Sequence, residues 1–232
     1  MKKLALTDFL KYRYPSALEL SPDGRYLAFA LKETDREGDG YRWNLWLCDL
    51  ESGESRQITR GDAQKQAVWE DDTHVLYKTT ELDEALRTRG LEEEWTVYRR
   101  LDVRTGEESE AFRLPMSVTG IWRMDAGRYI FTELAGEARE GEIARRLRTK
   151  GYKVLTELPL CENGVGMYNQ TRNTLFLYLE ATGEYRRLTP DDYDVNHVNV
   201  RPGQVLFTAF PFRDVKPVTE GMYRWDADRD ET

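Results

Sequence analysis

Few residues in this 232-residue chain could carry out nucleophilic catalysis. Acyl transfer needs a nucleophile beside an imidazole base, and only two histidines are present, His74 and His197. A hydrolase-type serine stands in a G-x-S-x-G turn, and no serine here has glycine at both positions. The serines are Ser16, Ser21, Ser52, Ser55, Ser109 and Ser117. We therefore assign no catalytic residue and expect structural roles for both histidines.

The sequence also has few residues that could form disulfides or bind a metal ion. Cys48 and Cys161 are the only cysteines, too few for a disulfide framework or a four-cysteine zinc site. We expect two reduced thiols in a cytoplasmic protein. The stretch TPDDYDVNH at 189–197 offers oxygen ligands for a hard cation, but it lacks the glycine and the terminal glutamate of an EF-hand loop. We interpret it as a linker and assign no metal and no cofactor.

The overall charge argues against polyanionic and lipid partners. The net charge is -8, whereas nucleic-acid binding needs a basic face, so we expect no nucleic-acid partner. No run of about 18 apolar residues is present, so we expect no membrane partner. The N-terminal MKKLALTDFLKYRYPS begins with two lysines but places Asp8 and Lys11 where a signal peptide is apolar. We predict no signal peptide.

The elements that would position any site form a repeat. The first motif occurs four times and consists of an aromatic or apolar segment, a turn with Asp or Gly, and a short apolar strand. Asp and Gly suit such turns because they supply side-chain hydrogen bonds to the backbone or adopt positive φ. These copies span 18–30, 67–79, 120–134 and 198–210. Their turns are at Asp23–Gly24, Asp71–Asp72, Asp125–Gly127 and Pro202–Gly203.

A second hairpin alternates with the first. Its pattern is an apolar–aromatic strand ending in Asp or Glu, a turn with Gly-Glu, and a strand followed by Thr. Complete copies span 44–59, 95–114 and 173–189, and another starts at Met222. Two hairpins make four strands. The turn spacings of about 48 and 55 residues, from Gly24 to Asp72 to Gly127, match the period of propeller blades, roughly 40 to 50 residues.

We therefore predict an all-β fold, a partial β-propeller of about four blades. Each blade is a four-stranded antiparallel sheet, and the last blade is incomplete. The predicted parts are a lead-in at 1–14 and blades at 15–60, 61–114, 115–190 and 191–232. Charged insertions are predicted at 82–94 in the second blade and at 136–154 in the third. The tryptophans are spread one or two to a blade, which predicts packing between blades.

These repeats resemble a known family. SPDGRYLAF at 21–29 and NLWLCDLESGESRQIT at 44–59 resemble the first propeller blade of the prolyl oligopeptidase family of serine peptidases, in its acylaminoacyl-peptidase and dipeptidyl-peptidase-like branch. The lead-in at 6–24 and the stretch at 155–189, which includes Leu158-Pro159 and Asn163-Gly164, are similar to that branch too. The resemblance extends over essentially the whole chain, although SPDG-type blades also occur in TolB-like propellers.

The resemblance implies a propeller that precedes a catalytic α/β-hydrolase domain and admits only short or N-acylated peptides. That catalytic domain is absent from the chain, so no catalytic role carries over to any of its residues. The implied partners are the hydrolase domain of the parent protein and, through it, peptide substrates. In dipeptidyl-peptidase relatives, glutamates of a propeller insertion hold the substrate's amino terminus.

Two charged runs fall in the insertions. The glutamates Glu92–Glu94 lie in the first insertion, and Arg145, Arg146, Arg148 and Lys150 lie in the second. The basic run could contact an acidic partner or the hydrolase domain. We interpret both runs as solvated surface, because charged runs are usually exposed to solvent.

The predicted size of the propeller leads to two expectations. Seven blades of about 50 residues need roughly 350 residues, so we expect a fragment of a longer propeller. Unpartnered first and last blades predict self-association. Two other functions stay open: a TolB-like protein-binding propeller, and a polysaccharide-lyase-like enzyme, which would need a metal-binding histidine cluster.

Overall fold

The computed structural model describes residues 5, 7–35, 37–82, 84–88, 94–136, 157–158, 161–162, 166–167, 171–227 and 229. Almost all of these residues lie in antiparallel β-strands or in the turns that join them. The chain divides into two compact units. Unit 1 comprises Met1–Leu82 and Glu94–Pro115, and unit 2 comprises Asp83–Glu93 and Met116–Thr232.

The first sheet of unit 1 follows a short 3-10 helix, Asp8–Lys11. Its strands pair in sequence order and are β1 (Tyr14–Leu20), β2 (Tyr26–Asp35), β3 (Gly40–Asp49) and β4 (Ser55–Gln57). The SPDG turn closes the first hairpin because Ser21 Oγ donates to Asp23 Oδ1 (2.6 Å) and accepts from the Tyr26 N–H (2.8 Å). Gly24 stands at φ 73°, in the left-handed region that favours glycine.

The second sheet of unit 1 has the same order of strands. They are β5 (Ala67–Trp69), β6 (His74–Leu82), β7 (Glu94–Asp102) and β8 (Glu108–Leu114). The two sheets bury a common apolar core that includes Ala28, Ala30, Leu45, Val75 and Trp69. Alternate residues of β2 (Tyr26, Ala28 and Ala30) and of β3 (Leu45 and Leu47) belong to this core, as expected when one face of a sheet is buried.

Unit 2 contains two more sheets of this kind. The third sheet is formed by β9 (Val118–Asp125), β10 (Arg128–Gly136), β13 (Thr171–Leu179) and β14 (Glu184–Arg187). The fourth sheet is formed by β15 (Tyr193–Arg201), β16 (Gln204–Pro211) and β17 (Gly221–Asp226). Their shared core includes Ile130, Leu175, Val205, Phe207 and Trp225.

Two short elements lie outside these four sheets. The helix α1 (Glu84–Thr88) follows β6, and a small hairpin joins β11 (Cys161–Glu162) to β12 (Gly166–Met167). The helix lies inside the predicted insertion at 82–94, whereas Glu92 and Glu93 are outside the described residues. The basic run at 145–150 and nearly all of the insertion at 136–154 are also outside them.

The predicted all-β propeller fold is confirmed. Three four-stranded antiparallel sheets and a fourth with three strands correspond to four blades, the last incomplete among the described residues. The predicted hairpin turns occur as expected, with Gly24, Gly127 and Gly203 in the first motif and Gly53, Gly106 and Gly183 in the second, all at φ between 71° and 79°. The blade boundaries drawn from the sequence stay predictions.

Candidate functional site

The connections of each sheet alternate between two ends, because neighbouring strands are antiparallel. One end carries the start of the first strand, the link between the second and third strands, and the exit of the last strand. We call it the connection end of each sheet; its described residues include 37–39 and 58–66 in unit 1 and 157–158, 188–192 and 212–220 in unit 2. Long connections carry binding residues more often than tight turns do. In each unit the connection end is therefore a candidate functional face.

A buried ion pair occupies the connection end of unit 2. Arg172, at the start of β13, pairs with Glu157, and their side chains are only 5% and 3% exposed. Arg172 Nε and Nη2 donate to the Phe212 carbonyl (3.1 and 2.8 Å), and the guanidinium lies 3.8 Å from the centre of the Phe212 ring. Both the edge and the face of the guanidinium are therefore engaged by protein groups.

Backbone pairing joins the same two segments. The Leu158 N–H donates to the Asp214 carbonyl (3.0 Å), and the Lys216 N–H donates to the Leu158 carbonyl (2.9 Å). Leu158 and Val215 form a parallel bridge. The segment that follows the insertion of the third sheet is therefore fixed to the loop between β16 and β17 of the fourth sheet.

A second ion pair closes this cluster. Lys216 Nζ lies 3.4 Å from Asp194 Oδ2, and Asp194 Oδ1 accepts a hydrogen bond from the Asn173 N–H (3.0 Å). We name Glu157, Arg172, Asp194, Phe212 and Lys216 the anchor cluster. Its charged groups are paired with one another. We therefore interpret the cluster as a structural contact between chain segments and not as a catalytic acid or base.

Apolar side chains are exposed beside the anchor cluster. Val218 is 99% exposed, Val215 is 60% exposed and Leu158 is 54% exposed. Leu134, at the end of β10, is 49% exposed. Exposed apolar groups that lie together on a rigid support are typical of a surface that another protein covers.

His74 lies at the opposite end of the second sheet. Its Nδ1 is 2.9 Å from Asp71 Oδ2, and its Nε2 is 3.9 Å from Asp102 Oδ2. Burial raises the pKa of Asp71, but hydrogen bonds from the Thr73 and His74 N–H groups outweigh it and hold that pKa at about 2. The carboxylate closes the turn before β6, and His74 contributes its N–H to that turn.

The other candidate nucleophiles and bases are not brought together. His197 lies on β15 with an exposed side chain, and its N–H donates to Thr208 Oγ1 (3.3 Å). Within the described part of the chain, no serine hydroxyl forms a hydrogen bond with either imidazole. Ser21 is 2% exposed and serves its own turn.

The stretch 189–197 is a linker only in its first part. Leu188–Asp192 connects the sheets, whereas Tyr193 to His197 already belong to β15. Among the described residues no group of His, Cys, Asp or Glu is arranged to hold a metal ion. Cys48 is a free thiol.

The tryptophans divide into two sets. Trp69 and Trp225 are buried in the cores of units 1 and 2, as predicted for packing between sheets. The second set, which is only half-buried, comprises Trp43, Trp46, Trp95 and Trp122. The anchor cluster was missed in the sequence, where the one available sign was an arginine at the start of a predominantly apolar strand, TRNTLFLYL.

Comparison with known proteins identifies the fold. No family model matches the chain, and no curated protein matches it significantly. The acylaminoacyl peptidase of Pyrococcus horikoshii superposes on 95% of the chain with a TM-score of 0.65 at 10% identity. A puromycin-hydrolysing peptidase of Mycobacterium tuberculosis covers 94% with a TM-score of 0.57, also at 10% identity. The shared fold is the β-propeller.

The same fold occurs in a protein of another kind. TolB from Acinetobacter baumannii covers 93% of the chain with a TM-score of 0.54 at 12% identity. The chain spans 32% of the acylaminoacyl peptidase, 28% of the puromycin-hydrolysing peptidase and 41% of TolB. No described helix is both long and apolar enough to cross a membrane.

Proposed function

We propose that the chain is the non-catalytic propeller portion of a serine peptidase of the prolyl oligopeptidase type. The active site then lies in an α/β-hydrolase domain, and the substrates are short or N-acylated peptides. The observation that carries this proposal is the likeness to acylaminoacyl peptidase over 95% of the chain. The blade motifs SPDGRYLAF and NLWLCDLESGESRQIT support it independently.

In this proposal the connection end selects substrates by size. The insertion that follows β10 is tied at its far end by the Arg172–Glu157 pair and by the Leu158–Val215 bridge. A connection fixed in this way narrows the approach to a neighbouring catalytic site and excludes folded chains sterically. The exposed Leu158, Val215 and Val218 are the surface on which we place the hydrolase domain.

The proposed location is the cytoplasm. Cys48 is a free thiol, and cysteines of cytoplasmic proteins are kept reduced. The net charge of -8 favours neither nucleic acid nor an anionic membrane surface as a partner.

A second candidate function is a TolB-like propeller that binds a protein partner and has no catalytic domain. It is favoured by the similarity to TolB over 93% of the chain. The exposed apolar side chains of the connection end would then serve that partner. The two functions differ in whether a reactive serine accompanies the propeller.

The deciding experiment labels active-site serines with a biotinylated fluorophosphonate. Native extract and the purified 232-residue chain are treated in parallel, and polypeptides that contain this sequence are recovered with an antibody against the chain. We expect label on a longer polypeptide that carries the sequence, and none on the isolated chain. Recovery of the sequence without any label would instead favour the TolB-like function. Label on the isolated chain would contradict both.

The surface assigned to the hydrolase domain has its own test in the labelled protein. Leu158→Asp should slow hydrolysis of N-acetyl-alanyl p-nitroanilide about tenfold, because a buried unpaired carboxylate opposes docking. Leu50→Asp is the matched control, since Leu50 is 48% exposed in the turn before β4, away from the connection end. Equal rates for the two variants would remove this surface from the proposal.

A further inference from the structure

Two lysines of unit 1 contact aromatic rings instead of carboxylates. Lys32 Nζ lies 3.7 Å from the centre of the Tyr41 ring and 5.4 Å from that of Trp43. Lys65 Nζ lies 4.5 Å from the centre of the Trp43 ring. No ion pair joins either ammonium group to a carboxylate in the described residues. In a chain with a net charge of -8, two adjacent unpaired cations need a reason.

The register of the first sheet places these groups on one face. Tyr14 on β1 is opposite Lys32 on β2, which is opposite Trp43 on β3. Lys32 follows Ala30 by two residues, so it continues the face that forms the core of unit 1. Trp43 is bridged to Ala63 in the link that carries Lys65. We name Tyr14, Lys32, Tyr41, Trp43 and Lys65 the aromatic–lysine platform.

The platform lies at the connection end and is open to solvent. Tyr41 is 52% exposed and Tyr14 is 49% exposed. It stands where the core face of the first sheet continues beyond the buried residues. Two aromatic rings with exposed surface and two ammonium groups therefore meet at one solvent-accessible place.

The nearby carboxylates do not neutralise these lysines. Glu33 and Asp35 are on the other face of β2; Glu33 pairs with Arg13 at 2.7 Å, and Asp35 Oδ1 accepts from the Glu37 N–H. Asp62 accepts a hydrogen bond from Asn44 Nδ2 (2.8 Å). Among the described residues, no carboxylate forms an ion pair with Lys32 or Lys65, so both ammonium groups of the platform stay available to an anionic ligand.

The chemistry of the platform fits one carboxylate beside an apolar group. An ammonium group over a ring directs only part of its three N–H donors at the ring, which leaves donors for an anionic acceptor. Each ammonium group can donate a charge-assisted hydrogen bond to a carboxylate oxygen. A polyanion such as a nucleic acid or a polyuronate would also meet the repulsion of the acidic chain around the platform.

We propose that the aromatic–lysine platform binds the C-terminal carboxylate of a short peptide. This assignment rests on the proposed function for its ligand, because the C-terminal carboxylate is the one charge that every N-acylated peptide carries. The last side chain of the peptide lies against Tyr14 or Tyr41. Recognition of a free carboxyl end makes the propeller select for the length of the peptide as well as for its width.

The test uses calorimetric titration of the 232-residue chain with N-acetyl-Ala-Ala-Phe and with its C-terminal amide. We expect the acid to bind about tenfold more tightly, since a charge-assisted hydrogen bond contributes a factor of this size. Lys65→Met should remove most of this preference, and Lys32→Met should do the same. Lys11→Met is the control, because Lys11 is exposed and paired only with Asp8, and it should leave both affinities unchanged.

Three outcomes would overturn the proposal: equal affinity for acid and amide, a preference that survives Lys65→Met, or tighter binding of oligogalacturonate than of the peptide acid. Lys65 is exposed, so its variant should stay folded, which the urea midpoint checks.

Failure of the platform proposal can be distinguished from failure of the proposed function. If the chain prefers the acid but the native protein does not react with the fluorophosphonate, the platform proposal stands and the proposed peptidase function is refuted. If the native protein is labelled but the chain shows no preference for the acid, only the platform proposal is refuted.

Discussion

The buried Arg172–Glu157 pair is the strongest polar constraint in unit 2. Removing two charges from water costs several kcal/mol for each ion, and this cost is recovered only when the hydrogen bonds are complete. Arg172 achieves this through Glu157 and the carbonyl groups of Phe212 and Arg213. The pair therefore adds little net stability. Its main effect is to favour one arrangement of the three chain segments that it joins.

Removing one partner of this pair should be costly. Arg172→Met leaves Glu157 buried without its cation, and we expect unit 2 to lose about 3–5 kcal/mol, measured by urea unfolding. Adding Glu157→Met should restore about half of that loss, because the Phe212 carbonyl still lacks its donor. Arg213→Met is the control: its side chain is 83% exposed, so the change should stay below ~1 kcal/mol. A loss for Arg172→Met as small as for Arg213→Met would contradict this account.

A single residue, Asp71, also makes the stability of unit 1 depend on pH. Hydrogen bonds hold its pKa at about 2 in the folded chain, against an ordinary value of 3.8. A lowered carboxyl pKa contributes stability that is present above the ordinary value and is lost as pH falls towards the folded value. Because the side chain is 56% exposed, solvent screening keeps the effect small.

The corresponding prediction compares thermal midpoints of the wild type and Asp71→Asn between pH 7 and pH 2. The variant should be less stable at pH 7, and the difference should narrow as pH falls from about 4 to about 2. Asp72→Asn changes the next residue, whose carboxylate accepts none of these hydrogen bonds, and it should show no such convergence. A constant gap across the range would mean that the charge of Asp71 is irrelevant.

At the scale of elements, the second hairpin turn has the same backbone hydrogen bond in all three copies, and the first two also share an aspartate. The Gly53 N–H donates to the Asp49 carbonyl and the Gly106 N–H to the Asp102 carbonyl, both at 2.8 Å. In the third copy the Gly183 N–H donates to the Leu179 carbonyl at 2.8 Å. Asp49 and Asp102 also accept two further N–H groups of their own turns, which lowers the pKa of each carboxyl. The repeat seen in the sequence is therefore a repeat of hydrogen bonds.

Gly53 isolates the backbone requirement of this turn. Its φ is 74°, and a side chain would meet nothing within 4 Å, so substitution tests conformation alone. Gly53→Ala should cost about 1–2 kcal/mol, whereas Gly53→Asn should cost less, because asparagine tolerates the left-handed region. Urea unfolding of the two variants measures this, and the same pair at Gly106 provides a repeat. Equal costs for alanine and asparagine would refute the explanation.

The sequence predicts these elements well because their signals are local. A turn such as SPDG or SGE specifies its own hydrogen bonds within four or five residues, so the hairpins and their alternation can be recognised without any tertiary information. The anchor cluster could not be found this way, since it joins Glu157, Arg172 and Phe212 from separate connections. Trp43 was expected to pack between blades, but it lies outside the core of unit 1 and contacts Lys32 and Lys65.

At the scale of the whole molecule, two sheets each present a face that no described residue covers fully. In the first sheet, Leu27, Phe29, Trp46 and Cys48 alternate with the core residues and are half-buried. In the fourth sheet, Leu206 is 44% exposed and Met222 is 72% exposed, while their neighbours along the strands form the core. Within units 1 and 2, sheets pack through faces of the same kind.

We propose that a second copy of the chain covers these faces. In the proposed dimer, the face of the first sheet in one copy packs on the face of the fourth sheet in the other. The two faces differ in a complementary way, since the first offers aromatic rings and the fourth offers Arg201 and Arg224 around a shallow cavity of about 280 Å³. Arginine over aromatic rings is a favourable interface contact.

Light scattering at chain concentrations from roughly 1 to 100 µM, which bracket micromolar dissociation constants, tests this proposed dimer. The wild type should have about twice the 27.2 kDa mass of the chain, and Met222→Lys should shift it to the monomer, because a buried unpaired ammonium opposes the contact. Val218→Lys is the control, since Val218 is fully exposed on the loop before β17 and lies on neither face. A monomeric wild type at every concentration would mean that each face is stable in water, and the half-buried rings of the first sheet would then need a different partner.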